Sequence, residues 1–280
     1  MSKITEALQK AAKEREERLR QQQEDKVPPP SKEVPSQSIN KKGPPRALPT
    51  VPLSPPSITG LDPHLVTYFE PHSPASEQYR LIRTNIQSLN AKNSPHTLVI
   101  SSSTYGEGKT ITAINLAIIM AQDINKPILL IDGDIWKPQV YQYLNLTPKA
   151  GLADFLTDNI SLESILLPTK INNLTVLPGS KAVSNPSSLL ESAKMKHLLT
   201  EIKSRFEYII IDTAPVLAVT DAGIIARETD GVLLVIKANA TKREVIQRAQ
   251  SVLAETKAEI LGYVLTHVEH PIPDFIYRHL

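Results

Sequence analysis

Residues 97–120 restrict the fold of this chain more than any other stretch. Thr97-Leu-Val-Ile-Ser-Ser-Ser-Thr-Tyr-Gly-Glu-Gly-Lys-Thr110 sets a short apolar block, Leu98 to Ile100, before a glycine turn. Such a block reads as a buried parallel strand. Ile111 to Met120 then has the length and helix-forming content of a largely buried helix. Strand, glycine turn, Lys-Thr and helix together form the context of a phosphate-binding loop. Glycines let the backbone approach phosphate closely, and free N–H groups at the helix start point at it. Tyr105, Gly106, Glu107, Gly108, Lys109, Thr110 and Ile111 are the candidate nucleotide contacts. Lys109 is placed to reach the outer phosphates and the Thr110 hydroxyl to hold Mg²⁺. An ordinary strand-to-helix turn leaves the Lys-Thr ending unexplained.

Around this stretch the totals allow one large domain or two small ones in 280 residues, with 41% hydrophobic content for a core. A net charge of +2, from 31 basic and 29 acidic residues, gives no electrostatic case for nucleic acid as the main partner. The absence of cysteine excludes disulfides and cysteine-based metal or redox sites, and fits a reducing compartment. No apolar run approaches the ~18–20 residues that span a bilayer. The N-terminus lacks the apolar core of a signal peptide. The expectation is a soluble, cytoplasmic protein.

Residues 2–26 read as a charged helix capped by Ser2, with Ile4, Leu8, Ala11, Ala12 and Leu19 near one face. A solvated helix and a docking helix for a partner protein both remain open. Membrane-surface binding fits less well, because Glu6, Glu14, Glu16 and Glu17 dilute the basic face. Residues 27–75 hold 13 of the chain's 23 prolines and read as a disordered linker that forbids a packed core. At Ser76 a helix through Gln87 is expected, with Ser76 as its cap. Glu77, Arg80 and Arg83 lie three residues apart along one flank of it, as an exposed charged face or an interface. From residue 97 strands and helices alternate, the signature of a parallel α/β sheet. Strands are expected at 97–101, 127–132, 174–177, 207–212, 231–236 and 260–266. Helices are expected at 109–122, about 138–144, 151–157, 187–204, 220–227 and 242–256.

Two of those strands end in acids. Pro127-Ile-Leu-Leu-Ile-Asp132-Gly-Asp134 and Tyr208-Ile-Ile-Ile-Asp212-Thr-Ala-Pro215 each run apolar into aspartate. Ligands of open α/β folds sit at the C-terminal ends of strands, the same edge as the phosphate loop. Solvated strand ends also produce such patterns. Beside a phosphate loop, metal-dependent phosphoryl transfer explains the pair better, Asp212 holding a Mg²⁺-bound water.

The Gly106-Glu-Gly-Lys-Thr110 loop, the Asp132-Gly-Asp134 pair, the Asp212-Thr-Ala-Pro215 strand end and the Glu77-x-x-Arg80-x-x-Arg83 helix together resemble one family. It is that of the bacterial tyrosine kinases (BY-kinases) of exopolysaccharide and capsule synthesis. The likeness covers about residues 72–270 and extends to Gly151-Leu-Ala-Asp-Phe-Leu, Asn185-Pro-Ser-Ser-Leu-Leu and Val216-Leu-Ala-Val-Thr-Asp221-Ala. Met1-Ser-Lys-Ile-Thr-Glu-Ala-Leu-Gln-Lys is similar to the leader of soluble autokinases of exosortase-linked exopolysaccharide systems. The resemblance implies Mg²⁺ and ATP as cofactors. It implies Lys109, Asp132 and Asp134 as catalytic residues, with Asp134 orienting or deprotonating the attacking tyrosine. Thr110, Asp132 and Asp212 become the metal site, and Glu77, Arg80 and Arg83 a ring-forming interface. It further implies a transmembrane polysaccharide chain-length regulator as activator, a phosphotyrosine phosphatase, and a position at the inner membrane held through that partner.

The chain departs from the family pattern in several places. Ser103 stands where the general loop pattern has glycine, and Thr104 where MinD/ParA ATPases carry a signature lysine. Trp136, followed by Lys137, replaces the arginine expected after the second-strand acids. Trp136 reads as packing at the strand end rather than stacking on a base. Thr266-His267 stands near where an asparagine often meets the base. The tail offers only Tyr277, open between a packing residue and a phosphoacceptor; residues 267–280 can extend roughly 45–50 Å. The histidines show no metal-ligand spacing, and Lys237 and Arg243 read as solvated surface.

The expected architecture is a P-loop NTPase α/β domain of the SIMIBI/MinD-like kind over residues 76–270. A charged helix (1–26) and a proline-rich linker (27–75) precede it, and a short tail (271–280) follows. The expected activity is Mg²⁺-ATP-dependent tyrosine (auto)kinase. The rivals are a kinase-like ATPase switch that signals by assembly, and a MinD/ParA-type positioning ATPase disfavoured by Thr104 and the 77–87 helix.

Overall fold

Among the described residues seven strands form one sheet, in the order β3-β4-β2-β5-β1-β6-β7. The computed structural model describes residues 60–89, 96–179 and 186–268. The strands are β1 (His96–Ser102), β2 (Ile128–Asp132), β3 (Leu167–Pro168), β4 (Leu174–Leu177), β5 (Tyr208–Asp212), β6 (Gly231–Lys237) and β7 (Ile260–Thr266). All pairings are parallel except that of β3 with β4. The six expected strands are all present. Only the two-residue β3 escaped, because a proline beside one apolar residue gives no strand signal.

The central strands are buried on both faces, so alternate residues feed two cores. Val99, Leu129, Ile131, Ile209, Ile211 and Leu234 point to one side. There they meet helices Leu152–Thr157 (α5), Ala193–Lys203 (α7), Asp221–Ala226 (α8) and Arg243–Glu255 (α9). Leu98, Ile100, Leu130, Ile210 and Val235 point to the other, against helix Lys109–Ile124 (α3). Twelve of that helix's 16 residues are buried. This is the hydrophobic all-round pattern of a helix enclosed by protein rather than facing water.

Residues 60–75, expected within the linker, are instead part of the fold. A short helix, Val66–Phe69 (α1), sits on α3 with Leu61, Leu65 and Thr67 buried. The Thr67 N–H and hydroxyl both donate to Asn115 Oδ1, at 3.0 and 2.9 Å, and Asn115 Nδ2 donates to the His64 carbonyl at 3.0 Å. Prolines spaced through this segment hid its three inward-facing side chains. The next helix, Pro74–Leu89 (α2), starts three residues earlier than expected. Pro74 supplies the preset φ of a first helical residue, and Ser73, not Ser76, is the cap, accepting the Ser76 N–H at 3.2 Å. Ser76 itself is buried and donates to the Glu70 carbonyl at 2.7 Å.

The helix expected at 187–204 is two helices, Pro186–Leu190 (α6) and α7. Ser192 breaks it by capping the second, accepting the Met195 N–H at 3.2 Å. A four-residue helix, Val140–Tyr143 (α4), follows β2. Among the described residues no helix is long and apolar enough to cross a membrane. The charged N-terminal helix, the linker up to residue 59 and Tyr277 lie outside the described residues.

Candidate active site

The loop between β1 and α3 is built to leave backbone N–H groups free. Gly106 and Gly108 adopt φ of 81° and 92°, a left-handed conformation that L-residues resist. A Cβ on Gly108 would only touch Thr266 Cγ2, at 3.4 Å, so the backbone conformation rather than crowding calls for glycine there. Helix α3 begins at Lys109, so its unpaired N-terminal N–H groups face the loop. Tyr105 extends into solvent. Glu107 does the opposite. Its buried carboxylate accepts the Thr104 N–H at 2.9 Å and the Thr241 hydroxyl, while its carbonyl accepts Thr266 Oγ1 at 2.7 Å. The loop is thereby tied to the ends of β6 and β7. Thr266, read from sequence only as a departure near the base, is one of its anchors.

The two acidic strand ends arrive beside this loop. Strands β2 and β5 pair in a register that sets Asp132 directly opposite Asp212, and β5 lies between β2 and β1. Gly133 allows the close approach: its N–H donates to the Asp212 carbonyl at 2.7 Å, and a Cβ there would lie 2.9 Å from that oxygen. Thr110 Oγ1 donates to Asp212 Oδ2 at 2.7 Å, and Lys109 Nζ donates to Asp134 Oδ2 at 3.1 Å. Asp132 Oδ2 accepts the N–H groups of Gln139 and Val140, at 2.9 and 3.0 Å, at the start of α4. Lys109, Thr110, Asp132, Asp134 and Asp212 are thus gathered on one rim, all buried.

Three carboxylates face one ammonium here. Burial drives Asp132 well above the ordinary carboxylate range, and the charges of Asp212 and Asp134 add to the rise, against the Val140 N–H and Lys109. Burial also raises Asp212, to about 6, with Lys109 and Thr110 opposing and Asp134 assisting. Burial alone would depress Lys109; Asp212, Asp134 and Asp132 outweigh it and hold the ammonium charged. The Asp132 and Asp212 Oδ1 atoms are buried and have no hydrogen-bond partner. Two orphan carboxyl oxygens beside a threonine hydroxyl fit a hard divalent cation, whose charge would favour their ionised form. Among the described residues no group of three or more His, Cys, Asp or Glu side chains forms a complete metal cage. Mg²⁺ does not require one, since it keeps waters and takes phosphate oxygens.

The raised Asp212 has a stability consequence whose sign is fixed. Between its ordinary 3.8 and about 6 the folded state holds a proton that the unfolded state has lost. This group's contribution is fully present below pH ~4 and is lost as pH rises through about 6, a difference of about 3 kcal/mol at most. Without divalent ions, Asp212→Asn is expected to match the wild type in denaturant unfolding near pH 4 and exceed it at pH 7.5. Equal unfolding free energies at both pH values would show that Asp212 is not strained.

Comparison with known proteins adds the family. A family model described as an AAA domain matches residues 96–260. The tyrosine-protein kinase YwqD of Bacillus subtilis (strain 168) is 38% identical over 202 residues, covering 72% of this chain and 85% of YwqD. This chain belongs to the bacterial tyrosine-protein kinases. CpsD of Streptococcus agalactiae serotype III (strain NEM316), also named a tyrosine-protein kinase, is 36% identical over 200 residues, 71% of this chain and 85% of CpsD. The crystal structure of the chimerical protein CapA2B2 superposes with a TM-score of 0.71 at 31% identity, covering 74% of this chain and 91% of that one. As expected for such a kinase, the domain is a nucleotide-binding P-loop fold with a mostly parallel sheet.

Beyond the nucleotide rim, the kinase holds two arrangements that sequence reading missed. Arg80 Nε donates to Asp123 Oδ2 at 3.1 Å, Arg83 pairs with the same oxygen, and Arg80 Nη1 meets Glu77 Oε1 at 2.6 Å. The charged flank of α2 is therefore latched to the C-terminal end of α3 rather than standing free. Asp123 gave no signal of this, since a single acid near the end of a largely apolar helix reads as an ordinary solvated residue. Trp136, expected to pack, is 49% exposed and donates Nε1 to Asp221 Oδ2 at 2.9 Å.

Proposed function

We propose that this kinase transfers the γ-phosphoryl group of Mg²⁺-ATP to tyrosine, mainly on other copies of itself, and so controls exopolysaccharide polymerisation or export. The observation that carries the reading is the buried contact between Lys109 and Asp134, beside Thr110–Asp212. A lysine that reaches phosphate and an acid that can take a proton are already in contact there. The free N–H groups of residues 106–110 and the Lys109 ammonium would hold the phosphates. Thr110, Asp212 and Asp132 would hold Mg²⁺. Bound there, Mg²⁺ neutralises charge on the outer phosphates.

As phosphate draws Lys109 away, Asp134 becomes free to accept the phenolic proton of the attacking tyrosine. The bond between the γ-phosphorus and the ADP oxygen breaks, and a bond from that phosphorus to the tyrosine oxygen forms. The buried setting raises the worth of each interaction, because the charges are not screened by water.

Activation by a transmembrane chain-length regulator fits a family in which one relative was solved as a chimerical protein. The Arg80/Arg83 flank, latched to Asp123, would have to exchange partners to join subunits into a ring, and Tyr277 is the tail's one acceptor. A phosphatase would reset the cycle. Incubation of the full chain with Mg²⁺-ATP and the cytoplasmic segment of the cognate regulator is expected to produce phosphotyrosine detectable by mass spectrometry. ATP consumption with no modified tyrosine would replace the kinase reading by an ATPase switch.

A further inference from the structure

The turn that follows the second-strand acids presents an aromatic ring for which the phosphate chemistry has no use. Asp134 to Lys137 is a β-turn: the Lys137 N–H donates to the Asp134 carbonyl at 3.2 Å and to Asp134 Oδ1 at 3.0 Å. Of its two central residues, Ile135 is fully buried and Trp136 is 49% exposed. The turn is thus pinned by one side chain while it holds the other out. The indole is not loose. Its Nε1 is bonded to Asp221 Oδ2, and the other oxygen of that buried carboxylate accepts Ser187 Oγ at 2.5 Å. One edge of the ring is fixed to α8 and, through Ser187, to α6, while about half of the residue's surface stays exposed. Leaving so large an apolar surface exposed is costly, and anchoring it removes the freedom a surface side chain normally keeps. A rigid aromatic presented in this way is the form that contact residues take in recognition sites.

We infer that Trp136 is a substrate-orienting platform for the acceptor, stacking on the ring of an incoming tyrosine or the residue next to it; the inference rests on the kinase reading above. The placement selects this occupant. Asp134 opens the same turn and touches Lys109 Nζ, the group that reaches the outer phosphates, so the ligand beside Trp136 is the one that meets the outermost phosphate. The nucleoside leaves the triphosphate from its other end. An aromatic ring at this point matches the aromatic side chain that the reaction consumes, in offset or edge-to-face geometry. The charged substituent that the family pattern expects at 136 would offer a peptide a different handle, so the residue sets acceptor preference rather than phosphate binding.

Trp136 is the sole tryptophan in the chain, so the emission of the unlabelled full-length protein reports on this residue alone. With Mg²⁺ and a non-hydrolysable ATP analogue present, titration with a Glu/Tyr copolymer is expected to change that emission saturably. A Glu/Ala copolymer of equal charge is expected to leave it flat. In steady-state phosphorylation, Trp136→Ala is expected to raise KM for the Glu/Tyr copolymer about three- to tenfold, with KM for ATP shifted by less than about twofold. Trp136→Phe, which keeps a ring without the Asp221 bond, should recover part of the loss, and it serves if the alanine variant does not fold. An unchanged copolymer KM in both variants, or an emission blind to the tyrosine copolymer, overturns the inference. A wild type that consumes ATP and modifies no tyrosine overturns the kinase reading instead, and the emission titration then still decides whether the indole contacts tyrosine.

Discussion

Lys109→Met is expected to lower tyrosine phosphorylation by about 10³-fold while the protein still unfolds cooperatively. The side chain does two things that methionine cannot. On the proposed function it supplies a preorganised positive charge to the transferring group, and loss of one such donor costs roughly 10²–10³ in turnover. It also balances Asp134 and the two neighbouring acids in a buried site. Its removal takes away the charge that opposes the rise of Asp132 and Asp212, and on the proposed function it would loosen the hold on the divalent ion as well. The second effect takes the expected loss to the upper end of that range. Phosphotyrosine quantified by mass spectrometry, with circular dichroism as the check on folding, reads the result. A variant that keeps more than a tenth of the wild-type rate would mean that Lys109 serves the fold and not the transfer.

Asp134→Asn separates the two halves of the site. Turnover is expected to fall by about 10²–10⁴, the usual contribution of a positioned general base. ATP affinity is expected to hold or improve, because the wild-type lysine must give up a 3.1 Å partner before it meets phosphate. The asparagine is a weaker competitor. A nucleotide titration beside a phosphorylation assay makes the comparison. Loss of ATP affinity in step with turnover would mean that the carboxylate holds the loop in shape; its Oδ1 bond to the Lys137 N–H is the contact that would then matter.

These two expectations depend on residues that were legible before any fold was known. Asp132, Asp134 and Asp212 sit at or just past the end of short apolar runs, and Lys109 and Thr110 sit where a glycine turn enters an apolar helix. Buried parallel strands and a glycine turn write strong local patterns, so the sequence leads directly to the rim of the sheet. What stayed hidden was contact between segments far apart in the chain. Nothing near Glu107 announces that its side chain turns inward to Thr241, or that Thr266 would reach back across 159 positions to its carbonyl. Asp221 reads as an acid at a helix start, and only the packing of α8 against α6 reveals that it holds Trp136 and Ser187. The short helix at Val66–Phe69 was lost for another reason. Its inward residues are too few and too broken by prolines to show a period, and Asn115 fixes it through hydrogen bonds, which leave no hydrophobic pattern.

The register that sets Asp132 opposite Asp212 reaches further than the placement of two charges. Neighbouring strands keep a spacing of about 4.8 Å imposed by backbone bonding, whatever side chains they carry. The gap between those two acids is therefore a property of the main chain, a ruler that variation in the surrounding helices cannot stretch. Sliding either strand by one position would turn its aspartate through the plane of the sheet into the opposite core. Small errors in this pairing are thus not graded but all-or-none, and the same backbone bonds that close the sheet also fix where the two carboxylates stand.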